Sequence, residues 1–279
     1  VFSWIKQPTQ SILGIDITSA AVKILARRYV ERQYRIESYA VAPIPEGSVV
    51  EKNIKNHEQL VEAVSKAIQR ANTKTKCAAV AIADSSVITK MIQLDNRLRE
   101  DEMESLVYLE ADKFIPYSLD EVNLDFTIVG PSKKDPNFNE ILIVASRSEN
   151  VDSRVSVIQD CGLNVKVVDV ESYAGERACA LLTHSLPDEG EGKTIAIIDI
   201  GARMSNLTVM KDLATVFTRE EVFGGMQLTE QIMERYDLSF QEAGRAKKEG
   251  SLPDDYEFEV LTPFKETAVL QVRRALQFF

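Results

Sequence analysis

A carboxylate and two hydroxyl groups stand close together near the start of this sequence, in an arrangement suited to holding a phosphate group. Asp16 lies within an apolar strand in residues 12–25, ILGIDITSAAVKIL, and Thr18 and Ser19 follow it. Small side chains leave backbone N–H groups free to point at an anion, and a nearby Asp can hold a hydrated Mg²⁺ ion. The stretch therefore predicts a phosphate-binding β-hairpin. The alternative is a helix that begins at residue 20 or 21 behind a hydroxyl cap.

The same pattern returns late in the chain, in residues 195–209, IAIIDIGARMSNLTV. Asp199 stands in the place of Asp16, and Gly201 stands in the place of Thr18. The residues after this second turn alternate and are β-branched, which favours a strand over a helix. Two copies predict two related half-domains that face each other across a nucleotide. Because a carboxylate inside an apolar strand is costly without a partner, both aspartates are interpreted as functional.

Composition narrows the classes of partner. At 279 residues with 44% hydrophobic residues, the chain can bury a sizeable core and is expected to hold more than one lobe. The net charge of −10 argues against nucleic acid or an anionic membrane surface as a general partner. No apolar run is long enough to span a bilayer, and residues 1–10 lack the core of a signal peptide. The first residue is Val, which predicts a trimmed start.

Cysteine and histidine are too few for several kinds of site. Cys77, Cys161 and Cys179 are far apart in the sequence, which is typical of buried thiols in a reducing cytosol. His57 and His184 are the only histidines. A His-rich metal site is therefore excluded, and a Ser-His-Asp triad is disfavoured.

Hydrophobic periodicity predicts a chain of alternating strands and helices around the two hairpins. Further strands are predicted at residues 29–43, 77–83, 86–94, 141–145, 163–170 and 215–220. Helices are predicted at residues 57–71, 99–114, 149–161, 171–182, 228–236, 241–248 and 263–279. Ser239 is predicted to cap the helix at 241–248 and Gly250 to end it, and Gly162 is predicted to end the helix at 149–161. The Gly- and Glu-rich residues 187–193 are predicted to link two lobes.

This order of elements resembles the actin-like ATPases and, among them, the pilus-assembly family PilM, a relative of the division protein FtsA. The resemblance covers essentially the whole chain. Its most specific stretches are EADKFIPYSLDEVNLDF at 110–126, VVDVESYAGERA at 167–178 and REEVFGGMQLTEQI at 219–232. It implies a two-lobed actin-like α/β fold with repeated β-hairpin phosphate loops and an inserted FtsA/PilM-type (SHS2-like) subdomain.

The resemblance also implies domain boundaries. Residues 1–83 and 162–190 would form subdomain 1A, and residues 84–161 would form the inserted subdomain 1C. Residues 191–279 would belong to the second lobe (2A/2B). The family's Gly-rich adenosine loop would follow residue 279.

Carried over position by position, the resemblance implies binding of ATP and Mg²⁺. Asp16 and Asp199 would hold Mg²⁺ through water, and Glu171 would assist hydrolysis. Glu171 is equally consistent with an ordinary glutamate in the first turn of a helix. The implied nucleotide-binding residues are Asp16, Thr18, Ser19, Lys23, Asp199, Gly201, Ala202, Gly224, Gly225 and Lys247. The two lysines on this list are also consistent with surface positions.

Departures from the family pattern favour a scaffold with weak or no ATPase activity over an active ATPase that drives conformational change. Many relatives have Gly where Thr18 stands, and small or hydroxyl residues where Arg203 and Met204 stand. Relatives bracket adenosine with a Glu-x-x-Lys pair, of which this chain keeps Lys247 but has Gly244 in place of the glutamate.

The partner implied by the resemblance is PilN, an inner-membrane protein whose short cytoplasmic N-terminus would bind as an extended peptide. The chain would then be a cytoplasmic component of the type IV pilus inner-membrane platform, peripheral at the membrane through PilN and near other platform proteins. The alternative family reading, an FtsA-like division protein, would require a membrane-binding helix after residue 279.

The predicted peptide-binding residues mix apolar and acidic side chains, and they are Ile115, Tyr117, Leu119, Glu121 and Asp125. Apolar pockets would fix the register of the peptide, and carboxylates would steer a basic residue. The alternative is that residues 115–119 pack into the core of their own subdomain.

Overall fold

The computed structural model describes residues 11–30 and 33–279. Residues 1–10, for which no signal-peptide core is predicted, and residues 31–32 of the predicted strand 29–43 lie outside the described part. The described chain divides into two compact units. The first unit contains residues 11–16, 23–30, 33–42 and 60–171, and the second contains residues 17–22, 43–59 and 172–279.

The strands and helices alternate through most of the described chain. The strands are β1 (Ile12–Ile17), β2 (Ala21–Val30), β3 (Gln33–Pro43), β4 (Val49–Val50), β5 (Asn53–Ile54), β6 (Cys77–Ile82), β7 (Val87–Asp95), β8 (Val122–Pro131), β9 (Phe138–Arg147), β10 (Asn164–Val170), β11 (Thr194–Ile200), β12 (Ser205–Lys211) and β13 (Ala214–Glu221). The helices are α1 (His57–Ala71), α2 (Glu100–Ala111), α3 (Ser148–Asp160), α4 (Glu171–Cys179), α5 (Gly225–Tyr236), α6 (Phe240–Glu249) and α7 (Thr262–Leu276).

The first unit is built on a five-stranded sheet in the order β10-β6-β1-β2-β3. Strands β1, β6 and β10 are parallel, and β1 buries every second side chain, Leu13, Ile15 and Ile17. Helix α1 buries Leu60, Val64 and three alanines at helical spacing. The alternation of period 2 and the helical spacing predicted from the sequence are therefore both confirmed.

A second, smaller sheet in the first unit lies within residues 84–161, the segment that the resemblance implies as an insertion. It is antiparallel in the order β7-β9-β8, and α2 packs against one face through Met103 and Val107. Ile141 and Ile143 of the central strand are fully buried there. The implied order of strand, helix, two strands and helix is present as β7, α2, β8, β9 and α3. Helix α3 also contacts β6 and β10 of the larger sheet.

The second unit contains the antiparallel sheet β11-β12-β13 and helices α5, α6 and α7. One core joins α5 and α6 through Leu228, Ile232 and Ala243, and another packs Ala275 of α7 on Leu207. The short hairpin β4-β5 belongs to this unit as well. In the predicted linker at 187–193, Asp188 and Glu189 form a turn with positive φ, 50° and 53°.

The alternative of a helix after Thr18 is wrong, because residues 21–30 form strand β2. The predicted caps are confirmed: Ser239 and Glu242 form a capping box, and Gly250 ends α6 with φ 68°. Helix α5 begins at Gly225, three residues before the predicted start. Among the described residues, no helix is both long enough and apolar enough to cross a membrane.

Candidate functional site

The turn between β1 and β2 is closed by the side chain of Thr18. Its hydroxyl donates to the carbonyl oxygen of Ala21 at 2.9 Å and accepts the backbone N–H groups of Ala20 and Ala21 at 3.3 and 3.1 Å. The Thr18 N–H donates to the same Ala21 carbonyl at 3.0 Å. The hydroxyl oxygen therefore takes the place that a phosphate oxygen would occupy as the acceptor for this turn. Ser19 lies in the same turn and is partly buried.

Asp16 forms an ion pair with Lys23, with 3.1 Å between Oδ2 and Nζ. Both side chains are about half exposed, at 52% and 50%. Exposed ion pairs contribute little to stability, and an exposed carboxylate does not carry the cost of burial. The structure therefore removes the burial argument for a functional Asp16. Asp199 is exposed as well.

Glu171 is the first residue of α4, directly after β10. Its charge acts on Arg154 of α3, a guanidinium group that is 4% exposed. Burial lowers the pKa of Arg154, and the Glu171 carboxylate partly offsets that shift. A buried cation requires a nearby anion, so Glu171 has a structural role here whether or not it takes part in hydrolysis.

Three of the predicted residues, Gly201, Ala202 and Gly225, take part in backbone hydrogen bonds at the second turn. The turn after β11 is closed by a hydrogen bond from Gly201 N–H to the carbonyl of Met204 at 3.0 Å. At the start of α5, Gly225 N–H donates to the Gly201 carbonyl at 2.9 Å, and Met226 N–H donates to the Ala202 carbonyl at 2.7 Å. The first turn of α5 is therefore bonded to the turn that was predicted to hold phosphate.

Gly224 makes this approach sterically feasible. A Cβ atom on Gly224 would lie 2.5 Å from the Ala202 carbonyl oxygen and 2.6 Å from the Gly201 oxygen. Its backbone is extended, with φ −177°, so the requirement for glycine is one of space. Ser205 supports the same corner by donating to the Phe223 carbonyl at 2.7 Å.

Lys247 of α6 faces the same helix start. Its Nζ donates to the Gly225 carbonyl at 3.0 Å and to Thr229 Oγ1 at 2.5 Å. Burial, with a smaller effect of Lys248, lowers the pKa of Lys247. The structure thus brings Gly201, Ala202, Gly224, Gly225 and Lys247 together within one unit.

A row of three side chains crosses the β11-β12-β13 sheet. In the strand register, Asn206 of β12 lies opposite both Asp199 of β11 and Glu220 of β13. Side chains directly opposite share one face of a sheet. Lys52, in the turn between β4 and β5, reaches this row and donates to Glu220 Oε1 at 2.8 Å and to Asn206 Oδ1 at 3.2 Å.

The family resemblance implies ATP with Mg²⁺, and the donors in this conformation do not fit it. The N–H groups of Ala20 and Ala21 are already accepted by Thr18, and those of Gly225 and Met226 by backbone carbonyls. An ammonium group rather than an open position lies beside the row that contains Asp199. Nucleotide binding would therefore require these internal contacts to be exchanged.

The predicted peptide residues separate into two groups. Ile115 and Tyr117 line one cleft of about 420 Å³, open to solvent, in the first unit. Leu119 packs against the core of Ala111, Ile115 and Ala145. The acidic residues Glu121 and Asp125 do not line this cleft, and both are exposed. Ile115 also belongs to that core, as the alternative interpretation expected.

Sequence reasoning did not single out Lys52, Asn206, Glu220, Arg147 or Arg154. The sequence does carry a signal for Asn206 and Glu220, because counting the alternation through β11, β12 and β13 puts them in one row with Asp199. Lys52 carries no comparable signal, since it lies roughly 150 residues before the strands that it contacts.

The sheets and the two hairpins define an actin-like α/β fold. A sequence model of the family described as "Type IV pilus assembly protein PilM" matches residues 14–279, and the chain belongs to this family.

Two solved structures resemble the chain in fold. One is a PilM-PilN type IV pilus biogenesis complex, with a TM-score of 0.76 and 23% identity, covering 98% of this chain and 78% of that chain. The other is the ethanolamine utilization protein EutJ from Carboxydothermus hydrogenoformans, with a TM-score of 0.54 and 14% identity, covering 98% of this chain and 74% of that chain.

Proposed function

We propose that this chain is an adaptor of the type IV pilus inner-membrane platform that binds the cytoplasmic N-terminal peptide of PilN. The observation that carries the proposal is the cleft in the segment 84–161, which we take as the inserted subdomain. Two further findings support the proposal: membership in the PilM family, and the likeness in fold to a structure that contains PilM with PilN.

The cleft lies at one end of the smaller sheet, where β7 and β8 begin and β9 ends. Its walls include apolar side chains from β7, from β8 and from the segment between α2 and β8, namely Val87, Ile88, Ile115 and Val122. Such walls suit one apolar anchor of an extended peptide, with the anchor fixing the register.

Polar groups at the same cleft can orient a peptide. The guanidinium carbon of Arg147 lies 5.1 Å from the centre of the Tyr117 ring, and Arg147 also pairs with Glu149 at 2.8 Å. Asn150 donates to Ser146 Oγ at 3.3 Å. Tyrosine and arginine are among the side chains that most often dominate the energy of interfaces. We therefore assign Tyr117 and Arg147 as the contacts that distinguish PilN from other peptides.

Nucleotide has a secondary place in this proposal. ATP with Mg²⁺ is expected to bind weakly to this conformation and to act as a conformational clamp, because the turn donors are already used internally. An active ATPase is the less favoured function for the same reason.

The chain would work on the cytoplasmic side of the inner membrane, held there by PilN and by other platform proteins, since its charge of −10 disfavours direct contact with anionic lipid.

The test is a calorimetric titration of a synthetic PilN N-terminal peptide into the wild-type chain and into two tyrosine variants. Tyr117→Ala should weaken binding about tenfold, since loss of an interface anchor costs about 1.4 kcal/mol or more. Tyr108→Ala is the matched control, because Tyr108 is similarly exposed, 44% against 42%, and does not line the cleft.

Binding by the wild type and by Tyr108→Ala that is lost or weakened in Tyr117→Ala would support the cleft. Equal affinities in all three proteins would move the peptide elsewhere on the chain. No binding by a folded wild-type chain, with or without ATP, would reject the adaptor proposal.

A further inference from the structure

We propose that the outer half of strand β3, residues 34–39, pairs antiparallel with β3 of a second copy of this chain, in a two-fold symmetric dimer centred on Ile36. The inference goes beyond the proposed adaptor function and does not depend on it, because the peptide cleft lies within residues 84–161 and β3 lines no part of it. All the groups that carry the inference belong to the first unit.

Strand β3 lies at the edge of its sheet. It is the longest of the described strands, with 11 residues, and among those strands it has a neighbour on one side only. An edge strand presents a row of backbone N–H and C=O groups to which another strand can bond. In the inner half, Arg70 donates to the Val41 carbonyl oxygen at 2.7 Å, so this carbonyl is already used. The outer half is therefore the part of the edge that suits a second strand.

Three large side chains are exposed on the outer half of β3. Ile36 is 70% exposed, Tyr39 61% and Tyr34 49%. The Tyr34 ring lies 4.9 Å from the Tyr29 ring, between centroids, and the guanidinium carbon of Arg27 lies 4.2 Å from its centre. Apolar surface gains free energy when it leaves water. A strand added at this edge would cover Ile36, which the chain itself leaves exposed.

The charges of this segment make it complementary to itself. Arg35 and Glu37 are both exposed and lie two residues apart, so they share one face of the strand. If two copies pair antiparallel with Ile36 opposite Ile36, Arg35 of each copy lies directly opposite Glu37 of the other. Opposite charges in such cross-strand positions are stabilising, and like charges are destabilising. The two-fold arrangement therefore forms two favourable pairs at once.

Neighbouring registers lack this complementarity. A centre at Arg35 or at Glu37 places like charges opposite each other, and a centre between two residues places a charge opposite Ile36. Glu37 also pairs with Arg28 of its own chain at 3.0 Å. A carboxylate has two oxygens, so it can accept a second guanidinium group from the other copy. The charge pattern thus selects the register centred on Ile36.

The opposite edge of the same sheet is protected against pairing. That edge is β10, whose pairing with β6 shifts in register between Val165 and Val167, and the residue at the shift, Lys166, is exposed. Bulges and lysines are devices by which edge strands resist pairing with another chain. One edge of the sheet therefore carries such devices, whereas the outer half of the other edge carries charges that attract their own copy.

The first test measures self-association of the chain by sedimentation equilibrium over a range of concentrations. Arg35→Glu and Glu37→Arg should each raise the Kd of the dimer about tenfold or more, because two-fold symmetry puts the change into both cross-strand pairs. The double variant that carries both substitutions restores opposite charges and should return the Kd close to that of the wild type. Lys166→Glu reverses a charge on the opposite edge strand and should leave the dimer unchanged.

Three results of this test would overturn the proposal. The first is a wild type that stays monomeric up to about 1 mM. The second is a single variant that dimerises like the wild type. The third is a double variant that stays dissociated although its urea denaturation shows a folded protein.

The second test locates the contact with cysteines. In the proposed register, the two copies of residue 36 have Cα atoms about 4.5–5.5 Å apart, which is within reach of a disulfide. Ile36→Cys should therefore form a covalent dimer on mild oxidation. Val41→Cys changes an exposed residue of the same strand and should not, since its two copies would lie about 30 Å apart.

The wild type under the same oxidation is the control for the three native cysteines. Failure of Ile36→Cys to crosslink, or equal crosslinking of both variants, would contradict the register centred on Ile36. The PilN titration decides the adaptor function separately, because it measures binding at the cleft and not association between copies.

Discussion

The two predicted phosphate turns are closed by different kinds of groups. In the first hairpin, one side-chain hydroxyl of Thr18 serves three backbone groups. In the second, the carbonyls of Gly201 and Ala202 are bonded to the start of α5, and Gly224 provides the space. The same sequence pattern therefore ends in a closure made by a side chain at one site and by the main chain at the other.

This difference decides how each turn can change. One substitution can remove the hydroxyl contacts of the first turn while the backbone hydrogen bond from Thr18 N–H to the Ala21 carbonyl stays, and the loss costs about as much as a hydrogen bond or two. A closure made by backbone carbonyls against a glycine leaves no side chain to remove. It can be opened only by moving α5 or by a Cβ atom that forces the backbones apart. The second turn also carries an ion pair between Arg203 and Glu46.

The largest effect is expected from Gly224→Ala. The new Cβ would meet two carbonyl oxygens at 2.5 and 2.6 Å, which requires the backbones to shift. Overpacking of this kind costs about 2 kcal/mol or more. Urea denaturation of the variant should show a correspondingly lower free energy of unfolding.

Gly244→Ala is the matched control. Gly244 lies inside α6, and nothing lies within 4 Å of the position of its Cβ. Alanine there should raise the free energy of unfolding by about 0.5–1 kcal/mol, because glycine is a poor residue inside a helix. If the two variants changed stability alike, the close approach of α5 to the second turn would not matter for the fold.

A smaller effect is expected at the first turn. Thr18→Val keeps the branched shape but removes the hydroxyl, and should lower the free energy of unfolding by about 1 kcal/mol. Thr18→Ser keeps the hydroxyl and should stay closer to the wild type. The measurement is urea denaturation of all three proteins. Equal losses in both variants would show that the methyl group of Thr18, rather than its hydroxyl, stabilises the turn.

The hairpins could be predicted because their signals are local. The alternation of Leu13, Ile15 and Ile17 gives β1, and its repeat around Asp199 gives β11 and β12. What the turns bond to could not be predicted, because a turn of small residues is compatible with either a phosphate oxygen or its own hydroxyl as the acceptor. The sequence identified Thr18 as a departure without revealing that its side chain fills the turn.

Residues with long-range partners were the least predictable. Lys52 lies in a short turn without a long hydrophobic pattern, and its partners Asn206 and Glu220 are 154 and 168 residues away in the sequence. Ile115 shows a different limit. Its apolar type predicted both a peptide contact and a core position, and in the structure it lines the cleft while it packs in the core.

The smallest predicted effect concerns the proton on Lys247, beside the second turn. Burial lowers the pKa of Lys247 below its ordinary value of 10.5 in the folded chain, with a lesser contribution from Lys248. Between the lowered pKa and 10.5, the unfolded chain therefore binds more protons than the folded chain. The free energy of unfolding should then rise with pH across that window, because the cost of holding the charged form disappears.

Urea denaturation between neutral pH and pH 10 should show this rise in the wild type and a smaller rise in Lys247→Met. Lys248→Met should keep most of the rise, since Lys248 is the lesser cause. If the wild type and Lys247→Met showed the same pH dependence, the contacts of Lys247 with Gly225 and Thr229 would not desolvate its charge, and the second turn would be more open to water than the structure indicates.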